Sequence, residues 1–183
     1  MQLGNSARDY GAIAKAFHWS AVLLILAGWA LGTLGDDLPR GAARNLGLFI
    51  HISAGVIVLA LFAPRLGWRL IDAPPQPEPS PFGPWVDRLA AWAHYALYAL
   101  LLAAPLAGIA VQFARGDALP ILGIFDIPSP WIADRASARV AKEVHEFLAN
   151  ALVVLAGMHA AAALFHHWVL RDRTLTRMLP GAR

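Results

Sequence analysis

Seven histidines occur in 183 residues, and four of them, His18, His51, His145 and His159, lie in the most apolar stretches of the chain. An imidazole nitrogen is a metal ligand, and an ionisable side chain at membrane depth is costly enough to default to a functional reading. His145 and His159 are fourteen residues apart in one apolar segment. On a helix that interval is close to four turns, so both rings project from nearly the same face. At about 1.5 Å per residue they sit roughly 21 Å apart along the axis, most of a hydrocarbon core about 30 Å thick. One helix therefore offers a nitrogen near each membrane surface, as two stacked haems require.

The elements that position these rings follow from composition. The chain is 58% hydrophobic and 15% charged, with a mean hydropathy of +0.52, the balance of an integral membrane protein. Four apolar stretches, 16–34, 46–66, 88–113 and 144–170, each reach the roughly 20 residues a spanning helix needs. The expected fold is all-α: one transmembrane domain over residues 1–183, an up-down-up-down four-helix bundle carrying two stacked b haems. The first stretch is longer than a signal-peptide core, already holds His18 and has no clear cleavage site after it, so it reads as a span. Trp19, Trp68, Trp85 and Trp168 near segment ends fit interfacial belts.

The connections are legible too. The second stretch is expected to break at Pro64 to Gly67, and Pro105 and Gly108 predict a kink or a close helix approach in the third. The six prolines of APPQPEPSPFGP, 73–84, read as an extended cytoplasmic linker. Residues from Arg115 to Asp134 read as an irregular outside loop, with Asp134 capping a fourth helix that begins before the membrane. With both termini inside, nine Lys/Arg (Arg8, Lys15, Arg65, Arg69, Arg88, Arg171, Arg173, Arg177, Arg183) are cytoplasmic and six are not, which favours that orientation.

Several chemistries are excluded. Without cysteine there are no disulfides, iron–sulfur clusters, thiolate zinc sites or covalently attached haem. Met158 points about 100° away from His159, so a bound haem is held by paired histidines. The pI of 9.8 comes from bases at membrane ends, so the partner is lipid and nucleic acid is not expected.

Sorted by depth, His18 on the first helix and His159 on the fourth form an inner pair, and His51 on the second and His145 on the fourth an outer pair. On depth alone His94, on the third helix, could replace His159. Arg65 follows His51 by fourteen residues, at the inner level, where a guanidinium suits haem propionates. Gly55, one turn after His51, would let a flat macrocycle approach the backbone. Arg135, Arg139 and Lys142 form one cationic stripe on the outer turns of the fourth helix, able to steer a small anionic donor. His166 is seven residues after His159 and is expected to share its face.

FHW at 17–19, HISAG at 51–55, VHEFLANAL at 144–152, GMHAAAALFHHW at 157–168 and RDRTLTRMLP at 171–180 resemble the bacterial cytochrome b561 family, over nearly the whole chain. The resemblance implies a multi-pass protein of the bacterial inner membrane with two haem b groups. It implies His18, His51, His145 and His159 as axial ligands and His94 as a non-ligand. It places His166 at a position associated with a quinone pocket. It further implies a superoxide oxidase, with electrons passing from periplasmic superoxide to ubiquinone as acceptor. The alternative is a quinone-reducing haem b anchor subunit of a membrane dehydrogenase or hydrogenase, fed by a protein donor. The short termini and four spans favour the stand-alone protein. Divalent-metal transport is the remote third reading, since few intramembrane carboxylates accompany the histidines.

Overall fold

The computed structural model describes residues 2–78 and 81–181. Pro79 and Ser80 of the linker and Arg183 of the orientation count lie outside the described residues. Four long helices carry the chain: α1 (Ala12–Leu34), α2 (Ala42–Ile71), α3 (Pro84–Ala114) and α4 (Arg135–Phe165). Each is long and apolar enough to cross a membrane. Each packs against the next, and α1 against α4 closes the ring, so α2 and α4 are diagonal partners.

Apolar side chains clothe the outside as well as the seam. Leu23, Leu26, Leu46, Trp92, Phe147 and Val154 are all exposed, the signature of helices solvated by lipid. The small core joins Val58, Leu101 and Leu152 with Leu24, Ile25, Phe62, Leu97 and Leu100, so all four helices contribute. Leu152 stands seven residues from both His145 and His159. The packed layer thus separates an outer level of the bundle from an inner one.

The helices outrun the stretches that hydropathy delimits. α2 does not break at Pro64–Gly67 but continues to Ile71 with Pro64 inside it. Proline forfeits one backbone hydrogen bond, whereas leaving the helix in hydrocarbon would strand several. α3 likewise runs through Pro105. Pro84, the last residue of the linker, already opens α3, where a missing N–H costs nothing. Asp134 caps α4 as expected, accepting from the Ser137 backbone N–H at 2.8 Å. Hydrogen bonds from Ser137, side chain and then backbone, hold that carboxyl below its usual range.

Two further features were not expected. The loop between α3 and α4 contains a small antiparallel hairpin, β1 (Leu119–Ile121) and β2 (Phe125–Ile127). On the other side of the bundle three chain segments are tied into a cap. Asn5 bonds to Asp72 and Ala73, Arg173 pairs with Asp9 at 2.7 Å, and Arg177 reaches Glu78 and the Gln76 carbonyl. Lys15 and Trp19 of α1 donate to the Leu179 and Met178 carbonyls.

Candidate functional site

The outer pair is the better defined. The rings of His51 and His145 face each other across the diagonal of the bundle, with centroids 5.8 Å apart. His51 Nδ1 lies 2.7 Å from the Gly28 carbonyl of α1, and His145 Nδ1 lies 2.8 Å from the Ala104 carbonyl of α3. A carbonyl only accepts, so both Nδ1 atoms carry the proton and both Nε2 atoms keep a lone pair. Metal-ligating histidines are oriented in this way, by a hydrogen bond from the second ring nitrogen. α1 and α3 each lend a carbonyl to a ring on a neighbouring helix.

Glycine makes that approach possible. A Cβ at Gly32 would stand 2.9 Å from His51 Cε1, and one at Gly108 would stand 3.1 Å from His145 Cε1. Both rings border a cavity of about 540 Å³, also lined by Gly55, Pro105, Trp29 and Asn150. That volume is in the range of cofactor sites, about 300–1,000 Å³. An iron between two imidazole nitrogens needs ring centroids roughly 6 Å apart, from metal–nitrogen bonds of about 2.0 Å. The outer site therefore fits a haem: two oriented ligand nitrogens, glycine-cleared walls and sufficient room. Gly32→Ala should push the His51 ring off Gly28 and lower or broaden the outer-haem absorbance band. An unchanged haem spectrum in that variant would show that the close approach has no such role.

At the inner level three rings meet. His18 and His159 have centroids 6.3 Å apart, and His94 and His159 5.1 Å. His94 is exposed and bonds the Ala90 carbonyl of its own helix at 2.7 Å, whereas His18 and His159 are half-buried. Arg65 reaches this level as expected. Its Nη1 donates to the Phe17 carbonyl at 3.3 Å, next to His18, and its guanidinium lies over the Tyr98 ring, 5.2 Å from the centroid.

The cationic stripe divides. Lys142 borders the outer cavity and pairs with Glu146 at 3.3 Å, whereas Arg139 lies out in solvent beside Glu143 at 3.8 Å. Arg135 is exposed as well. Arg44 and Arg115, which sequence reasoning passed over, line the cavity instead. Their position depends on the turn before α2 and the loop after α3, and no periodicity encodes it.

His166 stands at the end of α4, its backbone N–H still bonded to the Ala162 carbonyl, so it keeps the face of His159, and the π turn His166–Leu170 begins only there. His166 Nδ1 lies 2.5 Å from Asp172 Oδ2, and Thr174 steadies the carboxylate through its backbone N–H at 2.8 Å. Burial raises the Asp172 carboxyl, but hydrogen bonds from His166 and Thr174 outweigh it and hold it below the usual range.

A four-helix membrane bundle with imidazoles paired at two depths, and a cofactor-sized cavity at one, defines a haem-binding electron-transfer protein. The family model described as prokaryotic cytochrome b561 matches residues 9–181. The chain belongs to the prokaryotic cytochrome b561 family, and is a multi-pass bacterial membrane protein of the haem b electron-transfer type. It is 37% identical to "Cytochrome b561 homolog 2" of Escherichia coli K12, over 98% of this chain and 95% of the relative. It is 34% identical to "Probable superoxide oxidase CybB" of Yersinia pestis, over 96% and 98%. "Cytochrome b562" of Cereibacter sphaeroides is 29% identical over 93% and 94%.

Proposed function

We propose that this cytochrome oxidises superoxide at its outer face and reduces ubiquinone at its inner face, with both termini in the cytoplasm. Two superoxide ions give two dioxygen molecules, and one quinone takes two electrons and two protons to become quinol. The observation that carries the reading is the outer cavity, whose lining, among the described residues, holds Arg44, Arg115 and Lys142 beside Glu146. The name of the Yersinia pestis relative points the same way.

His51 with His145 would hold the outer haem, and His18 with His159 the inner one. When bound, haem b supplies a one-electron couple at each level. The chain's own task begins with the rim, where fixed positive charge raises the local concentration of a small anion. The Leu152 layer then keeps water out of the middle of the bundle. At the inner end Asp172 holds the Nδ1 proton of His166, which leaves Nε2 to meet a quinone carbonyl or to pass it a proton. Arg65 would balance propionate charge beside His18.

The test is rapid mixing of oxidised holoprotein with superoxide, followed by haem absorbance. Fast second-order reduction is expected, with reoxidation only when ubiquinone is present. Absence of reduction by superoxide would sink the reading. Neutralising Arg115 and Lys142 together should slow the reduction about 10-fold at low salt and flatten its salt dependence, since such fields act on encounter and are screened. Arg135→Gln with Arg139→Gln should change it far less. Equal rates in all three proteins would mean that charge at the rim steers nothing.

A further inference from the structure

We propose that the β1–β2 hairpin is a membrane element: its apolar tip inserts among the acyl chains of the outer leaflet beside α2 and walls the outer cavity from lipid. The tip reads Ile121-Leu122-Gly123-Ile124-Phe125, with Ile124 77%, Phe125 56% and Leu122 42% exposed. Five consecutive residues without a polar side chain are unusual where a chain turns in water.

The turn makes the point sharper. The Ile124 N–H donates to the Ile121 carbonyl at 2.9 Å, and the two central residues have φ of +55° (Leu122) and +74° (Gly123). Two positive φ values in a two-residue turn favour Asn-Gly or Asp-Gly. A leucine there is sterically disfavoured and offers no hydrogen bond in return. Among acyl chains the choice reverses, because a polar side chain at that position would lose its solvent.

Depth agrees. A Cβ built on Gly123 would lie 3.4 Å from the Phe49 ring. Phe49 is seven residues into α2, about 10 Å below its outer end and two residues short of His51. The surface around it is lipid-facing: Leu46 and Ile50 are 58% and 41% exposed. The tip is therefore continuous with the face that hydrocarbon already covers. Asp126, exposed and opposite Pro120, sets the upper limit. Three residues beyond Gly123 is at most roughly 10 Å of strand, which lifts its carboxylate toward the level of Arg44 and Asn45. At the base Leu119 is 5% exposed and lines the outer cavity together with Arg115. One side of the hairpin faces the cavity and the other faces lipid.

The chain has no cysteine, so single-cysteine labelling is direct. Ile124→Cys carries a nitroxide in holoprotein reconstituted one copy per lipid nanodisc, with haem absorbance checked first. Leu23→Cys, on the exposed face of α1, is the hydrocarbon reference, and Asp117→Cys the aqueous one. The ratio of collisions with oxygen to collisions with a water-soluble nickel chelate should place residue 124 with residue 23, severalfold above residue 117. Phe125→Cys should behave as residue 124 does. A ratio at 124 equal to that at 117 would overturn the proposal. So would strong coupling between labels at 124 in discs holding two copies, which would make the tip a contact between chains.

Discussion

His51→Ala and His145→Ala will each remove one of two haems per chain and leave the other in place. The lost absorbance should be the same band in both variants, because the two rings, with centroids 5.8 Å apart, would hold one iron between them. Removing either leaves one imidazole facing an open coordination position. His18→Ala and His159→Ala should remove the other haem. His94→Ala is the discriminating variant, since its ring lies closer to His159 than the ring of His18 does. It should keep both haems. Loss of a haem in His94→Ala, together with its retention in His18→Ala, would reassign the inner pair to His94 and His159. Pyridine haemochrome quantitation with low-temperature spectra reads all five variants.

His166→Ala should keep both haems yet slow their reoxidation by ubiquinone by about 10² fold or more, the usual worth of a positioned proton donor. Asp172→Asn should show part of the same loss. It leaves the ring but replaces the carboxylate oxygen that accepts its Nδ1 proton. Because the Asp172 carboxyl is held below its usual range, it is ionised at neutral pH. Its contribution to the turn is present above the unfolded carboxylate value, about 3.9, and is lost as pH falls through the lowered folded one. Between pH 5 and 8 the carboxylate charge is therefore constant. His167→Ala is the control. Quinone kinetics that match wild type in both His166→Ala and Asp172→Asn would leave the pair a structural tie at the end of α4.

What the sequence discloses here, and what it hides, divides along one line. Spans, ring depths and the Asp134 cap are local, written in runs of apolar residues and in intervals along one helix. The ends of α2 were harder, because Pro64 signals a stop in water and is tolerated in hydrocarbon. Nothing local signals the hairpin, whose Leu-Gly turn carries no recognised turn dipeptide. The carbonyls of Gly28 and Ala104, the rim positions of Arg44 and Arg115 and the Asp172 partner of His166 all depend on pairings across elements. The π turn that begins at His166 brings Asp172 back to its ring, and no periodicity along α4 encodes that return.

Both histidine pairs borrow a ring from α4, the last of the four helices to leave the ribosome. A nascent chain that has inserted α1 to α3 therefore carries His18 and His51 without their partners. On this ligand set neither haem can be gripped from both sides until α4 has been made. Cofactor loading then follows insertion, and the outer cavity must stay open long enough to admit it. Chains that stop before α4 would be colourless, and any quality control that reads haem content would also be reading whether α4 had found its place.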